Sequence, residues 1–225
     1  MRTSSFILPA IVTLALVGCG GAKTDSNSSS SSAATSNSAT LSSTPTMTSS
    51  EAAPTPNSAW DGKMLTGKHT VIVKTDKGEI TLELDADAAP KTVTNFIVLA
   101  KSGFYNGLTF HRVIPGFMIQ GGDPNGNGTG GASIYGPTFD DEIVADSPLY
   151  KTGYKAGVIA MANRGMNTNG SQFFIMDKDY PLPPNYTIFG HVTSGQATVS
   201  NIANTPRDPN DAPKTPVKFT VDVKN

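Results

Sequence analysis

The stretch FHRVIPGFMIQGGD, residues 110–123, carries the main signals for both the fold and the chemistry of this chain. Alternate residues of a β-strand point to the same face, and the Pro-Gly pair in the middle of the stretch breaks the strand. The break allows a cation, an aromatic ring, a thioether and an amide to come together. These groups belong to Arg112, Phe117, Met118 and Gln120. Taken singly, each has an ordinary explanation as core filling or as a solvated arginine, so the interpretation depends on the rest of the chain.

The surrounding sequence predicts a domain of short strands with two helices. Apolar alternation over residues 70–85, around a turn at 76–78, predicts a β-hairpin. Helical spacing predicts a helix over 90–102, with Pro90 in its first turn and Gly103 as its C-terminal cap. Further elements are expected as strands at 109–114, 117–120, 158–162, 172–176 and 187–191, a helix at 197–203 and a closing strand at 217–223. This pattern indicates a mainly β fold, a closed antiparallel barrel capped by helices.

Composition and spacing argue against several classes of protein. With 17 basic and 18 acidic residues, the formal net charge of -1 speaks against a nucleic-acid-binding protein. One cysteine excludes an internal disulfide and a thiolate zinc site, and the three histidines are too far apart to suggest a metal cage. Residues 126–131 match a dinucleotide-binding loop by letter, but no helix follows, so we interpret them as a surface loop with left-handed glycines. We expect no metal and no cofactor.

The N-terminal region has the pattern of a targeting segment followed by a tether. Arg2 and the apolar residues 6–17 are typical of a secretory signal peptide, and LVGC at 16–19 resembles the lipobox of bacterial lipoproteins. We therefore predict a signal peptide at 1–18, a lipid anchor at Cys19 that attaches the protein to a membrane, and a disordered Ser/Thr-rich tether at 19–65. The folded domain is expected at 66–225. The alternative is an ordinary secreted protein in which the cysteine occurs by chance.

The lipobox resemblance also implies a location outside the cytoplasm. Gly20 does not resemble the aspartate that retains lipoproteins at the inner membrane. In a Gram-negative cell the expected site is therefore the outer membrane. In a cell with one membrane it is the outer face of the plasma membrane.

Three long motifs resemble the cyclophilins, the barrel family of peptidyl-prolyl cis–trans isomerases. They are FHRVIPGFMIQGGD at 110–123, NGTGGASIYG at 127–136 and NTNGSQFFI at 167–175, in family order and spacing. The resemblance runs from about residue 71 to 223. It implies a closed antiparallel eight-stranded β-barrel capped by two α-helices. It also implies that the acidic run at 138–142 is a connecting segment with most of its carboxylates in solvent.

By this resemblance, Arg112 donates hydrogen bonds to the carbonyl and the nitrogen of the substrate proline, and Gln120 supports Arg112 and contacts the substrate. Backbone groups of Asn163 hold the residue before proline. Whether His111 contacts the substrate or packs beside it is left open. The resemblance makes Phe117, Met118, Phe174 and Leu182 the walls of the proline pocket, places Ala162 and Gln172 along the neighbouring groove, and puts Tyr186 where the family has a pocket histidine.

The reaction that the resemblance implies suits these residue types. Amide resonance opposes rotation of an X–Pro bond by roughly 18–20 kcal/mol, and rotation localises a lone pair on the prolyl nitrogen. A catalyst needs a pocket that excludes water from the proline ring and hydrogen-bond donors that favour the twisted amide over the planar one. It needs no nucleophile, general base or metal. To isomerise the bond within milliseconds, the catalyst must lower the activation free energy by roughly 5.5–7 kcal/mol. One cationic donor together with substrate orientation can supply this amount.

One segment departs from the family pattern. Well-known members have a tryptophan or histidine followed by LDGxH, whereas residues 179–186 here are DYPLPPNY. The segment is one residue shorter and contains three prolines, which stiffen it. Since the tryptophan contributes to cyclosporin binding in the family, we expect weak sensitivity to that drug.

The leading functional hypothesis is a lipid-anchored, monomeric prolyl isomerase whose partners are proline-containing peptides and unfolded exported proteins. The alternative is a peptide-binding module or holdase chaperone with little turnover, favoured by the altered 179–186 segment. A solute-binding lipoprotein is disfavoured because the chain offers no second lobe.

Overall fold

The computed structural model of the chain describes residues 60–224. The predicted signal peptide, Cys19 and the tether up to residue 59 lie outside the described residues. Within residues 60–224, no helix is both long enough and apolar enough to cross a membrane.

The described residues form a mainly β domain with nine strands and three helices. The strands are β1 (Lys68–Thr75), β2 (Gly78–Asp85), β3 (Leu108–Thr109), β4 (Arg112–Ile114), β5 (Met118–Gly121), β6 (Val158–Met161), β7 (Phe173–Met176), β8 (Ile188–Ser194) and β9 (Lys218–Val223). The helices are α1 (Pro90–Lys101), α2 (Pro148–Thr152) and α3 (Gln196–Ala203). All pairings are antiparallel, and the strands follow the order β3-β9-β1-β2-β8-β6-β7-β5-β4 in one curled sheet.

The predicted closed eight-stranded barrel with two helices is not confirmed. The strand expected at 109–114 is divided into β3 and β4, which are the two ends of the sheet and do not pair with each other in the described structure. The division arises because the backbone changes partner. The N–H of Phe110 donates to Val217 O (3.1 Å), whereas the N–H of Val113 donates to Asp211 O (2.8 Å).

The third helix, α2, is short and was not predicted. Ser147 caps it by accepting a hydrogen bond from the N–H of Tyr150 (3.3 Å), and Pro148 occupies its first turn. The two longer helices lie where the apolar spacing placed them. Gly103, with φ 77°, follows the end of α1 in the left-handed conformation expected of a C-terminal glycine.

The main core lies between the sheet and the helices and is rich in aromatic rings. Phe96 of α1 packs against Tyr105, Phe173 and Phe189 with ring centroids 5.0–5.5 Å apart. Tyr105 is fully buried and its hydroxyl donates to Ser171 O (3.0 Å). This hydrogen bond ties the segment after α1 to the start of β7, because Ser171 lies just before that strand.

A residue distant in sequence caps the start of α1. The two carboxylate oxygens of Glu142 accept hydrogen bonds from the N–H groups of Lys91 (2.9 Å) and Thr92 (2.7 Å), where an anion also suits the helix dipole. Asp141 accepts from the N–H of Asn167 (2.8 Å). Asp141 and Glu142 are thus half-buried and accept backbone hydrogen bonds, whereas Asp140 is exposed, as predicted for most acids of this run.

The packed region extends six residues before the predicted domain start at residue 66. The ring of Trp60 lies edge-on to Tyr135 with centroids 4.9 Å apart. The N–H of Leu65 donates to the hydroxyl of Thr94 on α1 (2.9 Å).

A second, smaller apolar cluster lies beneath the candidate site. Its fully buried members include Ala160 of β6, Met176 of β7 and Met118 of β5. Because β7 pairs with both β5 and β6, this cluster is built from adjacent strands and forms the floor of the cavity above it.

Candidate active site

One cavity of about 610 Å³ contains most of the residues that the sequence singled out. Ten of the eleven predicted site residues line it, and the eleventh, Gln172, lines a smaller cavity of about 150 Å³ beside it. The ten are His111, Arg112, Phe117, Met118, Gln120, Ala162, Asn163, Phe174, Leu182 and Tyr186. The structure therefore brings together residues that are up to 75 positions apart in the chain.

The β4–β5 hairpin presents the polar pair of the site. Arg112 and Gln120 are directly opposed in the register of the two strands. The tight turn between the strands is closed by a hydrogen bond from the N–H of Phe117 to Ile114 O (3.1 Å), with Gly116 at φ 74°. The buried Asp177 fixes the turn by accepting from the N–H of Gly116 (2.8 Å). The Pro-Gly break thus works as the sequence predicted.

Gln120 does not hydrogen-bond to Arg112 within the described residues. Its amide Nε2 instead donates to Gln172 Oε1 (3.0 Å), and Gln172 Nε2 donates to the carbonyls of Gly128 (3.1 Å) and Gly130 (2.9 Å). Gln120 is thereby linked to the glycine-rich loop, and its support of Arg112 stays a prediction.

The guanidinium of Arg112 pairs with an acid that the sequence reasoning missed. Arg112 Nε lies 3.7 Å from Asp211 Oδ2, and the Arg112 side chain is 43% exposed. Asp211 also pairs with Arg207, with Nε to Oδ1 at 3.0 Å. The cation at the cavity is therefore part of an Arg–Asp–Arg arrangement.

The glycine-rich loop at 123–131 is held by one buried carboxylate. Asp123 is 1% exposed. Its Oδ1 accepts from the N–H of Asn125 (2.9 Å), and its Oδ2 accepts from those of Asn127 (3.0 Å) and Gly128 (2.6 Å). The left-handed φ values expected for the loop are present at Gly126, Gly128 and Gly131.

Apolar side chains form the floor and walls of the cavity. Met118 and Phe174 are almost fully buried and belong to the smaller apolar cluster, against which Phe117 and Leu182 pack. Tyr180 lies behind Phe117, with ring centroids 4.5 Å apart. The 179–186 segment therefore brings an aromatic ring against the pocket wall, at a residue that the sequence did not single out.

Tyr186 is fixed from several directions. Its ring meets that of Phe174 edge-on at 5.5 Å. Its carbonyl accepts from the hydroxyls of Tyr150 (2.7 Å) and Tyr154 (2.8 Å), and burial raises the pKa of both hydroxyls. Asn163 Nδ2 donates to the preceding carbonyl of Asn185 (2.8 Å). The 179–186 segment and the chain that follows β6, at Asn163, therefore form one continuous rim.

His111 lines the cavity yet is almost buried. Neither ring nitrogen has a hydrogen-bond partner among the described residues. Burial lowers the pKa of His111, the Arg112 cation lowers it further and the Asp123 carboxylate opposes this shift. The imidazole is therefore held in its neutral form near neutral pH.

Six further residues line the cavity without having been predicted. They are Gly126, Asn127, Gly128, Asp208, Asn210 and Ala212. The first three belong to the glycine-rich stretch at 126–131, which the sequence predicts as a surface loop. Residues 127 and 128 also begin one of the three family motifs, but no site role is predicted for them. The last three lie in the 204–217 connection, where no sequence signal points to a site.

The assembled site suits binding and electrostatic catalysis. No group of three His, Cys, Asp or Glu side chains suitable for a metal ion occurs among residues 60–224. The cavity combines an apolar floor with one arginine, neighbouring amides and exposed backbone groups. It can enclose a small apolar ring and direct a cationic donor at it.

Known proteins are similar to this chain in both sequence and fold. A family model described as cyclophilin type peptidyl-prolyl cis-trans isomerase/CLD matches residues 70–222. A peptidyl-prolyl cis-trans isomerase of Schizosaccharomyces pombe is 51% identical over 150 residues, 66% of this chain and 94% of that protein. A putative peptidyl-prolyl cis-trans isomerase of Staphylococcus aureus is 42% identical over 177 residues, covering 65% of this chain and 87% of that protein.

Solved structures of this kind of enzyme also match the fold of this chain. A crystal structure of a Cryptosporidium parvum cyclophilin type peptidyl-prolyl cis-trans isomerase matches with a TM-score of 0.66 and 38% identity, covering 70% of this chain and 98% of that one. Its structure in the presence of the dipeptide Ala-Pro gives a TM-score of 0.65. The chain therefore belongs to the cyclophilin-type peptidyl-prolyl cis–trans isomerase family. The family and the enzyme class predicted from the sequence are confirmed.

Proposed function

We propose that this isomerase acts on X–Pro bonds of exported proteins that are still unfolded or partly folded. The observation that carries the proposal is that Arg112, whose side chain is 43% exposed, lines the same cavity as the apolar side chains of Phe117, Met118 and Phe174. A folded client rarely presents a proline together with several flanking residues in extended form, whereas an unfolded chain does.

Arg112 supplies the donor and the apolar walls supply the dry environment. As the X–Pro bond rotates, conjugation is lost and the prolyl nitrogen gains a localised lone pair. A guanidinium N–H can donate to that nitrogen, and this interaction is stronger in the twisted amide than in the planar one. Donation to the proline carbonyl holds the substrate in place for it. Phe117, Met118 and Phe174 hold the ring in place and exclude water, which strengthens the interaction. Gln120 and the backbone of Asn163 hold the flanking chain.

Turnover on a protein substrate tests this proposal against the holdase alternative. The refolding of a reduced client whose slow phase is limited by proline isomerisation is followed with and without the purified protein. We expect the slow phase to accelerate at substoichiometric enzyme. A holdase with little turnover would instead suppress aggregation only at stoichiometric amounts and leave the slow phase unchanged.

We also propose that the mature chain is a monomer anchored through lipid on Cys19 and carried on a Ser/Thr-rich tether outside the cytoplasm. The lipobox-like LVGC at 16–19 supports this, as does the fact that Cys19 is the only cysteine in the chain. The location is the outer membrane in a Gram-negative cell and the outer face of the plasma membrane otherwise. Labelling cells with a palmitate analogue tests the anchor. Wild type should be labelled and Cys19→Ala should not, and an unlabelled wild type would rule the anchor out.

The finer architecture, a closed barrel, is likewise a proposal. It is supported by the backbone hydrogen bonds of Phe110 and Val113, which connect the junction of β3 and β4 to the chain before β9. Slow amide hydrogen exchange at both residues, comparable with that of β1, would agree with closure, and fast exchange at the junction would contradict it.

A further inference from the structure

A second cavity of about 640 Å³ adjoins the active site. It lies between the 163–167 turn, the 184–186 segment, Asp141 and Ile143, and it shares Asn163 and Tyr186 with the active-site cavity. Its volume is similar to that of the active site itself. The two cavities are therefore neighbours across a common rim rather than separate features of the surface.

Exposed apolar side chains collect at this second cavity. In the described part of the chain, five large hydrophobic residues are exposed, and two of them, Met166 (83%) and Ile143 (36%), line it. Exposed apolar surface of this kind marks interaction sites. Methionine suits a site for varied sequences, because its flexible, polarisable side chain adapts to different partners.

The walls that carry these side chains are ordered by hydrogen bonds. Asp141 and Asn167 are joined twice, by the N–H of Asp141 to Asn167 Oδ1 (2.9 Å) and by the N–H of Asn167 to Asp141 Oδ2 (2.8 Å). The N–H of Arg164 donates to the hydroxyl of Thr168 (2.8 Å). The cavity is thus preformed, so that binding there does not require the turn to be ordered first.

We propose that this cavity is a subsite for an apolar side chain of the client, on the N-terminal side of the isomerised bond. The proposal rests on the proposed function and deepens it by naming the substrate class. If the backbone of Asn163 holds the residue before proline, the chain that precedes it starts at the shared rim, because Asn163 lines both this cavity and the active site. Asn163 also lines the cavity of about 150 Å³ beside Gln172, and we assign the preceding chain to the larger cavity because that one carries the exposed apolar side chains. An extended peptide advances roughly 3.3 Å per residue, so the relevant side chain lies a few positions before proline.

Peptides with one variable position test the subsite. In a series of proline peptides, each position from the second to the sixth before proline is occupied by leucine or by serine, and kcat/KM is measured with the full chain. The wild type should prefer leucine at one or two of these positions by about 5- to 10-fold, as expected for partly burying one leucine side chain. The Ile143→Ser, Met166→Ser double variant should reduce the preference to less than about 2-fold, because the apolar lining that a leucine would contact is then removed.

Val144→Ser is the matched control, because Val144 is 53% exposed, neighbours Ile143 and does not line the cavity. It should retain the wild-type preference. Absence of a preference in the wild type, or equal loss of it in the control and the double variant, would overturn the subsite. Failure of the proposed function would be seen separately, as absence of turnover on the serine peptides with wild-type protein.

An independent observation concerns Asp211, the partner of Arg112. Asp211 has a φ of 64°, one of two non-glycine residues with positive φ among residues 60–224. A side chain in this conformation is strained, and such strain persists where the surroundings require that residue. The backbone carbonyl of Asp211 accepts a hydrogen bond from the N–H of Val113 (2.8 Å). This bond joins the loop that contains Asp211 to β4, next to Arg112.

The pairing leaves the reactive end of Arg112 available. Asp211 lies against Nε (3.7 Å), and no residue in the described range hydrogen-bonds to the two terminal nitrogens of the guanidinium. Arg207 holds the other oxygen of Asp211 at 3.0 Å. From this geometry we infer that Asp211 is a positioning residue, which orients Arg112 so that its terminal nitrogens face the cavity.

Two substitutions separate positioning from a structural role. Asp211→Asn tolerates the left-handed backbone and removes the charge, and Asp211→Gly removes the backbone strain as well as the carboxylate. We expect kcat on a proline peptide to fall about 5- to 20-fold in both, as for loss of orientation of one catalytic group, with KM changed less than about 2-fold. The melting temperature of Asp211→Gly should be equal to or above that of wild type.

A double-mutant cycle completes this test. In an Arg112→Ala background, Asp211→Asn should have less than about a 2-fold further effect, because the group that it positions is gone. Near-wild-type kcat in Asp211→Asn, or the same loss in both backgrounds, would overturn the inference.

Discussion

Replacing Asp123 by asparagine should loosen the loop that forms one wall of the active site. The buried carboxylate accepts one backbone N–H through Oδ1 and two through Oδ2. An asparagine keeps only one accepting oxygen. In its best orientation the amide retains the bonds from Asn127 and Gly128, but its NH₂ group then faces the N–H of Asn125.

The cost can be worked out from these contacts. The N–H of Asn125, whose hydrogen bond to the carboxylate is partly buried, loses its acceptor and faces an NH₂ group, at about 1–3 kcal/mol. The two remaining hydrogen bonds lose the assistance of a charge, for a total of roughly 2–4 kcal/mol. A domain of this size loses about 2–4 °C in melting temperature per kcal/mol. We therefore expect Asp123→Asn to melt about 5–15 °C below wild type.

Thermal unfolding followed by circular dichroism measures this shift, and Asp208→Asn is its control. Asp208 also accepts two backbone N–H groups, from Asn210 (2.8 Å) and Ala212 (2.9 Å), but both bonds reach the same oxygen. An asparagine there can keep both, so its melting temperature should fall by less than about 2 °C, within the range of an ordinary surface substitution. A shift for Asp123→Asn as small as that of the control would refute the reasoning.

Two further predictions concern pH and packing. Burial lowers the pKa of His111 below its usual 6.5, so as pH falls the unfolded chain binds a proton before the folded protein does. Stability from this group is present above about pH 6.5 and is lost as pH falls toward the folded pKa. Urea unfolding should show that His111→Phe loses less free energy of unfolding than wild type between about pH 7.5 and 5; parallel losses would contradict this. A Cβ added at Gly190 would overlap Glu83 O, whereas one at Gly170 would lie 3.6 Å from its nearest neighbour. Chemical denaturation should therefore show Gly190→Ala destabilised by about 1–3 kcal/mol and Gly170→Ala much less, and equal effects would argue against the close approach of Glu83 to Gly190.

Local patterns were enough to predict most of the elements. The β1–β2 hairpin follows from strict apolar alternation around a short turn, and α1 from helical spacing that begins at Pro90. The short α2 also had a local signal, the Ser147-Pro148 pair, which is a common helix start. It was missed because its five residues have no buried face that would give an apolar period.

The remaining features depend on contacts between distant residues. Strand 109–114 divides at Phe110 because its backbone turns from β9 to the loop at Asp211, and no local pattern records a change of partner. The cavity walls at Gly126 and Gly128 present mainly backbone, so residue type gives little indication of them. Asp211 lies 99 positions after Arg112, and a single aspartate in a polar loop is indistinguishable by sequence from a solvated one.

The central claim is that Arg112 is the catalytic donor, and one comparison of variants tests it most directly. Turnover of a proline tetrapeptide is measured for wild type, Arg112→Ala and Lys74→Ala, the last of which removes an exposed cation that does not line the cavity. The loss of one preorganised donor predicts that kcat/KM falls at least about 100-fold in Arg112→Ala. The melting temperature should stay near that of wild type, because a half-exposed ion pair adds little to stability, and Lys74→Ala should stay within about 2-fold of wild type, as for an ordinary surface change. An Arg112→Ala protein that retains its fold and turns over within about 3-fold of wild type would contradict the account.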